Sequence, residues 1–191
     1  MSHPLEKEFG LTASELLDAI NKRFRAKVTL EGAVAEVHLG KHINKLVREG
    51  VIFRYEEHDI DAYPDYTIWI PSNPPKPFRI ECKNVRDNNE AYRKNGVIVA
   101  YKVETQKTRA SKGDPQSRFY GYDQFEILAV CLGKKTHNWH EFMYIETKHL
   151  ARHTRFRNKL NVMHQVPLPS EKTLPPWYNE LGILLKAIAR G

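Results

Sequence analysis

Asp65, Glu81 and Lys83 are the residues of this chain whose types and spacing could do chemistry together. They lie in the segment PDYTIWIPSNPPKPFRIECK, residues 64–83, where two apolar-rich runs flank a proline-rich turn. That pattern predicts a β-hairpin over residues 66–70 and 78–83 with a loop on the long side. Side chains alternate across a strand, so Phe78, Ile80 and Cys82 share one face while Arg79, Glu81 and Lys83 share the other. Glu81 and Lys83 therefore point the same way, and Asp65, at the start of the partner strand, is carried toward Glu81. Mg²⁺ takes hard oxygen ligands, usually one or two of them carboxylates, and leaves its other positions to water and phosphate oxygens. Asp65 and Glu81 could supply the carboxylates and the Cys82 carbonyl a third oxygen, a set that suits Mn²⁺ as a substitute. Lys83 could then hold a nucleophilic hydroxide or stabilise charge on a phosphodiester under attack.

The conjunction of Pro64-Asp65, an apolar strand, a turn, a second strand and Glu81-Cys82-Lys83 resembles the PD-(D/E)XK nuclease superfamily. That superfamily includes type II restriction endonucleases, Holliday-junction resolvases and several repair nucleases. The resemblance covers residues 31–146 and implies a restriction-endonuclease-like α/β fold, a mixed central β-sheet flanked by α-helices. It makes Asp65 and Glu81 the metal-binding acids and Lys83 the catalytic lysine, with Pro64 not itself chemical. The implied activity is that of a Mg²⁺-dependent endonuclease of restriction type, cutting double-stranded DNA to leave a 5′-phosphate. A structure-specific resolvase or repair nuclease is the alternative within the class. Cutting both strands calls for two active sites, so a homodimer is expected by symmetry. Family members often carry a glutamate on the helix before the Pro-Asp strand. Here Glu36 shares a face with Leu39, Ile43 and Leu46, and reads either as an outer metal ligand or as a stripe-edge glutamate reaching solvent. A bare Glu-x-Lys is common, and the chain has a second one, Glu146-Thr147-Lys148, with no Pro-Asp strand before it.

The elements that must position these residues follow an α/β order. Thr12 or Ser14 could cap a helix running to Arg25, and a second helix is expected over residues 31–49, ending at Gly50. A strand over 51–57 precedes the hairpin. Helical character is expected somewhere between residues 87 and 108. The apolar run FEILAVCL, residues 125–132, reads as a central strand buried on both faces, followed by another strand over 141–146. A closing helix begins near Pro175-Pro176, with Trp177, Leu181, Leu184, Leu185 and Ile188 at one-face spacing. Residues 1–191 read as a single domain. Residues 10–57 also resemble a winged helix, which would set Lys41, His42, Lys45 and Arg48 on a DNA groove and opens a rival reading, a non-catalytic DNA-binding regulator.

Thirty Lys and Arg against 23 Asp and Glu give a net charge of +7, and the pI is near 9.3. That balance favours an anionic partner, nucleic acid first. The stretch 102–123 holds Lys102, Gln106, Lys107, Arg109, Lys112 and Arg118. Lys and Arg neutralise phosphates and Gln can read an adenine edge, so Gln106, Lys107, Arg109, Lys112 and Arg118 are the candidate DNA contacts. Lys148, Arg152, Arg155, Arg157 and Lys159 form a second basic stretch free of acids. No apolar run reaches the roughly 18 residues of a membrane span, and the first ten residues lack a signal-peptide core. Cys82 and Cys131 lie in apolar strand-like runs, as buried thiols of a reducing cytoplasm would. His38 with His42, His149 with His153, and His137 with His140 are closely spaced, but zinc wants three or four convergent ligands.

Overall fold

A computed structural model describes residues 2–60, 63–72, 74–87, 89–107, 113–170 and 174–190. Its chain divides into two compact units, Met1–Val34 and Ala35–Gly191. In the first unit, α1 (Pro4–Phe9) is capped by His3 and α2 (Ala13–Asn21) by Thr12, each within a reciprocal capping box closed by Glu6 or Glu15. Neither helix contains a buried residue. The helix expected to run to Arg25 ends at Asn21, where the Arg23 N–H donates to the Ile20 carbonyl in a tighter i→i−3 turn. A new helix, α3 (Phe24–Arg48), then starts earlier than the spacing predicts. Its residues up to Val34 belong to the first unit, and those from Ala35 onward to the second.

The second unit is built on a mixed six-stranded sheet. In chain order its strands are β1 (Arg54–Glu57), β2 (Tyr66–Ile70), β3 (Lys76–Asn84), β6 (Ile127–Cys131), β7 (Phe142–Glu146) and β9 (Trp177–Tyr178), and they lie in that same order across the sheet. All pairs are antiparallel except β3 with β6, where Glu81 lies beside Leu128 and Lys83 beside Val130. The remaining strands, β4 (Ala91–Lys94), β5 (Val97–Glu104) and β8 (Met163–Pro167), form a small antiparallel sheet in the order β4-β5-β8. A four-residue helix, α4 (Gly133–Thr136), follows β6, and α5 (Leu181–Arg190) ends the described chain.

Strand alternation sorts the core onto the two faces of the large sheet. Phe78, Ile80, Cys82, Ile127, Ala129, Cys131, Phe142 and Tyr144 pack with Ala35, Leu39 and Ile43 of α3 and Leu181, Leu184 and Leu185 of α5. Leu128, Val130, Met143 and Ile145 pack instead with Val103 of β5 and Val166 of β8. The mixed α/β sheet is as expected from sequence, but within the second unit α3 from Ala35 onward and α5 cover one face and the small sheet packs on the other.

Among the described residues between 87 and 108 no helix forms: the crossover that joins parallel β3 to β6 carries the β4–β5 hairpin. Asn95 and Gly96 both have positive φ, 51° and 81°, the combination that closes a two-residue hairpin of matching twist. The closing helix likewise begins later than expected. Trp177 lies in β9 opposite Ile145, so its apolar spacing to Leu181 belongs to two elements.

Gly40 sets how closely α3 approaches β2. A Cβ there would stand 2.8 Å from the Tyr66 hydroxyl, which donates to the Glu36 carbonyl at 3.0 Å. Tyr66 is fully buried, so its ring has nowhere to move. Gly32 of the same helix meets nothing within 4 Å. Gly32→Ala should stabilise by up to about 1 kcal/mol through helix propensity. Gly40→Ala should instead destabilise by about 1–3 kcal/mol through overpacking. Urea unfolding of the two variants checks the opposite signs.

Candidate active site

The paired ends of β2 and β3 build the site. The last register pair joins Tyr66 to Ile80, so β3 runs on past the start of β2. Asp65 occupies that step, half-buried, and its Oδ2 accepts the Cys82 N–H at 2.6 Å. Its own carbonyl accepts the His58 N–H at 2.9 Å, which fixes the turn into β2. In a strand the N–H and C=O of one residue point to the same side. The Arg79 carbonyl accepts the Glu126 N–H and the Arg79 N–H donates to the Glu126 carboxylate, both on the β6 side, so Cys82, three residues on, directs its carbonyl to the β2 side with Asp65. Asp65 and the Cys82 carbonyl, two of the oxygens expected from sequence, thus lie on the β2 side of one strand step.

Glu81 and Lys83 project from the opposite face to Cys82, as the alternation requires. Glu81 is almost fully buried, and its Oε1 accepts from both the Lys83 ammonium and the Tyr120 hydroxyl. Lys83 Nζ lies 5.4 Å from the centre of the Tyr120 ring, and Lys107 Nζ lies 5.6 Å from it. Two ammonium groups therefore share one aromatic ring beside a buried carboxylate.

Burial, then the charge of Glu81, pushes the Asp65 carboxyl up to about 7, against the opposing pull of Lys83 and the Cys82 N–H. Glu36 is half-buried, and its carboxyl is also raised, by burial first, with Lys83 opposing and Glu81 adding to the effect. Burial works against the Lys83 ammonium, but Glu81, Tyr120 and Asp65 together outweigh it and raise the pKa of that lysine. Asp65 and Glu36 thus both feel the charges of Glu81 and Lys83.

Hard carboxylate and carbonyl oxygens are what Mg²⁺ or Mn²⁺ binds, so the donor set fits either ion. Among the described residues, no three His, Cys, Asp or Glu side chains stand together as a ready ligand group. A site of two carboxylates and one carbonyl does not require one.

Of the candidate DNA contacts, Gln106 and Lys107 follow β5, and Lys107 reaches the Tyr120 ring. Gln106 bridges to Phe119, and the Lys107 N–H donates to the Arg118 carbonyl at 2.9 Å. Arg118 is exposed, with Nε 3.4 Å from the Lys107 carbonyl. Arg109 and Lys112 lie outside the described residues. Tyr120 is the residue sequence reading missed as part of the site, standing 39 positions from the Glu81 it contacts. The second Glu-x-Lys makes no such site. Strand alternation stops at Glu146, a 3₁₀ turn (Thr147–His149) follows, and Lys148 reaches back through solvent to Glu146 at 2.9 Å.

Residues 10–57 contain α2, α3 and β1, and β1 is hydrogen-bonded to β2 in the large sheet. No described helix is long and apolar enough to cross a membrane.

No protein-family model matches the chain, and no curated protein matches it. Among solved structures, the chain is similar to a bacterial homing endonuclease, I-Ssp6803I. The two share 14% identity at a TM-score of 0.46, over 85% of this chain and 96% of that one. A likeness at that level carries no chemistry, which rests on the geometry of the site.

Proposed function

We propose that the protein is a metal-dependent DNA endonuclease of the PD-(D/E)XK type. The observation that supports this reading is a pair of contacts on consecutive residues of β3: the Cys82 N–H donates to Asp65, and Lys83 donates to Glu81. Asp65, Glu81 and the Cys82 carbonyl would hold Mg²⁺ or Mn²⁺, with Glu36 as an outer acid. When bound, the ion supplies Lewis-acid chemistry, polarising a phosphate oxygen and lowering the pKa of water.

The chain's own residues do the rest. The raised pKa of Lys83 keeps it an ammonium at neutral pH, so it serves as a fixed positive charge beside the phosphate and not as a proton acceptor. Glu81 and the Tyr120 ring hold that ammonium in place, and Lys107 brings a second positive charge to the same ring. Arg118 and the stretch from Lys148 to Lys159 supply positive charge for the phosphate backbone, so binding should weaken steeply with salt. Double-strand cleavage would use two copies of the chain, one active site per strand.

Incubation with Mg²⁺ or Mn²⁺ against plasmid, methylated plasmid, four-way junction and mismatched duplex tests the reading. Cleavage leaving 5′-phosphate ends is expected on one or more of them. The substrate cut separates a restriction enzyme from a resolvase or repair nuclease. Tight DNA binding without cleavage of any substrate by either metal would overturn the nuclease and favour the DNA-binding regulator.

A further inference from the structure

The loop of residues 152–160 is pinned at its base by the Arg152–Leu160 bridge and by the His153 N–H, which donates to the Lys159 carbonyl at 2.8 Å. The rings of Phe119, His153 and Phe156 pack 4.8–5.9 Å apart, centre to centre, and hold it in shape. Arg152, Arg155, Arg157 and Lys159 lie on this loop. Among the described residues, no carboxylate forms an ion pair with any of the four. Positive charges gathered this closely repel one another, and an anionic partner removes that cost.

Beside the loop is a cavity of about 360 Å³, lined by residues 121–124 together with Arg152, Asn158 and Lys159. The Arg152 guanidinium lies 4.0 Å from the centre of the Tyr122 ring, so the wall offers an aromatic and a guanidinium plane together. Gln124 spends its side-chain oxygen on the Gly121 N–H at 2.7 Å, which leaves its amide donors for a ligand. Asn158 is exposed and offers a donor and an acceptor. The exposed Asp123 carboxylate adds an acceptor and would repel a phosphate placed inside. A base edge, in contrast, takes donors and acceptors alike, and a carboxylate accepts from an exocyclic amine. Bases of a continuous duplex are paired and stacked, so only an unpaired base can enter a concave site.

The cavity begins one residue after Tyr120, whose hydroxyl donates to Glu81. We infer that residues 121–124 and the 152–160 loop form a subsite for one unpaired nucleotide of a DNA strand, its base in the cavity and its phosphate on the surrounding arginines. The inference rests on the endonuclease reading for its ligand, and it narrows the substrate class to DNA with an unpaired or extruded base near the cut.

Fluorescence anisotropy of the full-length protein in EDTA tests the subsite without cleavage, using two end-labelled duplexes, one continuous and one carrying a single unpaired base. The second should bind more tightly by about tenfold or more, the scale of one base contact. Asn158→Ala should bring the two affinities to within about twofold of each other and leave that for the continuous duplex unchanged. The exposed Asn158 side chain makes a variant that should melt like wild type, and Arg152→Ala provides a second one, expected to lose the same preference. Equal affinity of the wild type for both duplexes overturns the subsite, as does a preference that survives both variants. Tighter binding of the same unpaired sequence as RNA overturns the assignment to DNA. A protein that keeps the preference but cuts nothing with Mg²⁺ or Mn²⁺ overturns the endonuclease reading and supports the subsite.

Discussion

On the proposed function, Asp65→Asn should abolish Mg²⁺-supported DNA cleavage, by about three orders of magnitude or more, while leaving the protein folded and able to bind DNA. The size follows from what one preorganised electrostatic group contributes to a charged transition state, about 10²–10³, and a metal-holding acid should lie at or beyond the top of that range. Survival of the fold follows from the geometry, because asparagine keeps an oxygen to accept the Cys82 N–H that Asp65 accepts at 2.6 Å. DNA binding should survive because removing a half-buried acid does not weaken phosphate contacts made by Lys and Arg. The metal-free protein supplies an independent readout. The Asp65 carboxyl titrates at about 7 in the fold against 3.8 for the reference group, so the native state binds more protons than the unfolded state between those values. Stability in EDTA should therefore fall as pH rises from about 4 to 7, and Asp65→Asn should flatten that decline. Unfolding by urea across this pH range, with cleavage assays alongside, checks both parts. A variant that still cuts, or that steepens the decline, would contradict the role given to Asp65.

The site hairpin was legible because a period of two is unambiguous once one face must be buried: Phe78, Ile80 and Cys82 pack inward, and Glu81 and Lys83 necessarily face the other way. The same rule exposes the missed hairpin. Asn95-Gly96 is a strong two-residue turn signal, but Val97 and Val99 remain exposed, so the strand after it lacks the apolar alternation that would mark it. Helix α3 was placed too late for a related reason. Periodicity reports burial, and the helix buries nothing before Ala35, so its first turns carry no pattern to read. Tyr120 was out of reach altogether. Its hydroxyl finds Glu81 only because the crossover between parallel strands folds back over that face, a long-range contact with no local trace. The placement of Asp65, Glu81 and Lys83 was readable because one hairpin carries them; Tyr120, which bonds Glu81, comes from elsewhere in the chain.

That division between chemistry and support predicts a large stability effect at Glu81. Its side chain is 4% exposed and takes hydrogen bonds from Lys83 and Tyr120 together. Glu81→Ala leaves the Lys83 ammonium without its counter-charge and the Tyr120 hydroxyl without its acceptor. Breaking one side of a buried ion pair costs about 3–5 kcal/mol. Because the Lys83 side chain keeps 24% exposure, some solvent reaches it and the lower end, about 3 kcal/mol, is expected. The double variant Glu81→Leu with Lys83→Met removes both charges and refills the space. It should recover most of the loss, since an apolar replacement of a buried pair is commonly neutral or better. Adding Tyr120→Phe removes the last stranded donor and should recover about 1 kcal/mol more. Urea unfolding of the single, double and triple variants gives the series, and none of them should cleave DNA. If Glu81→Ala proves as stable as wild type, the pair is not a structural unit, and Glu81 is free to be spent on the metal alone. If instead the double variant regains stability without activity, the buried pair exists for chemistry, and the fold bears the strain of holding these charges beside one another.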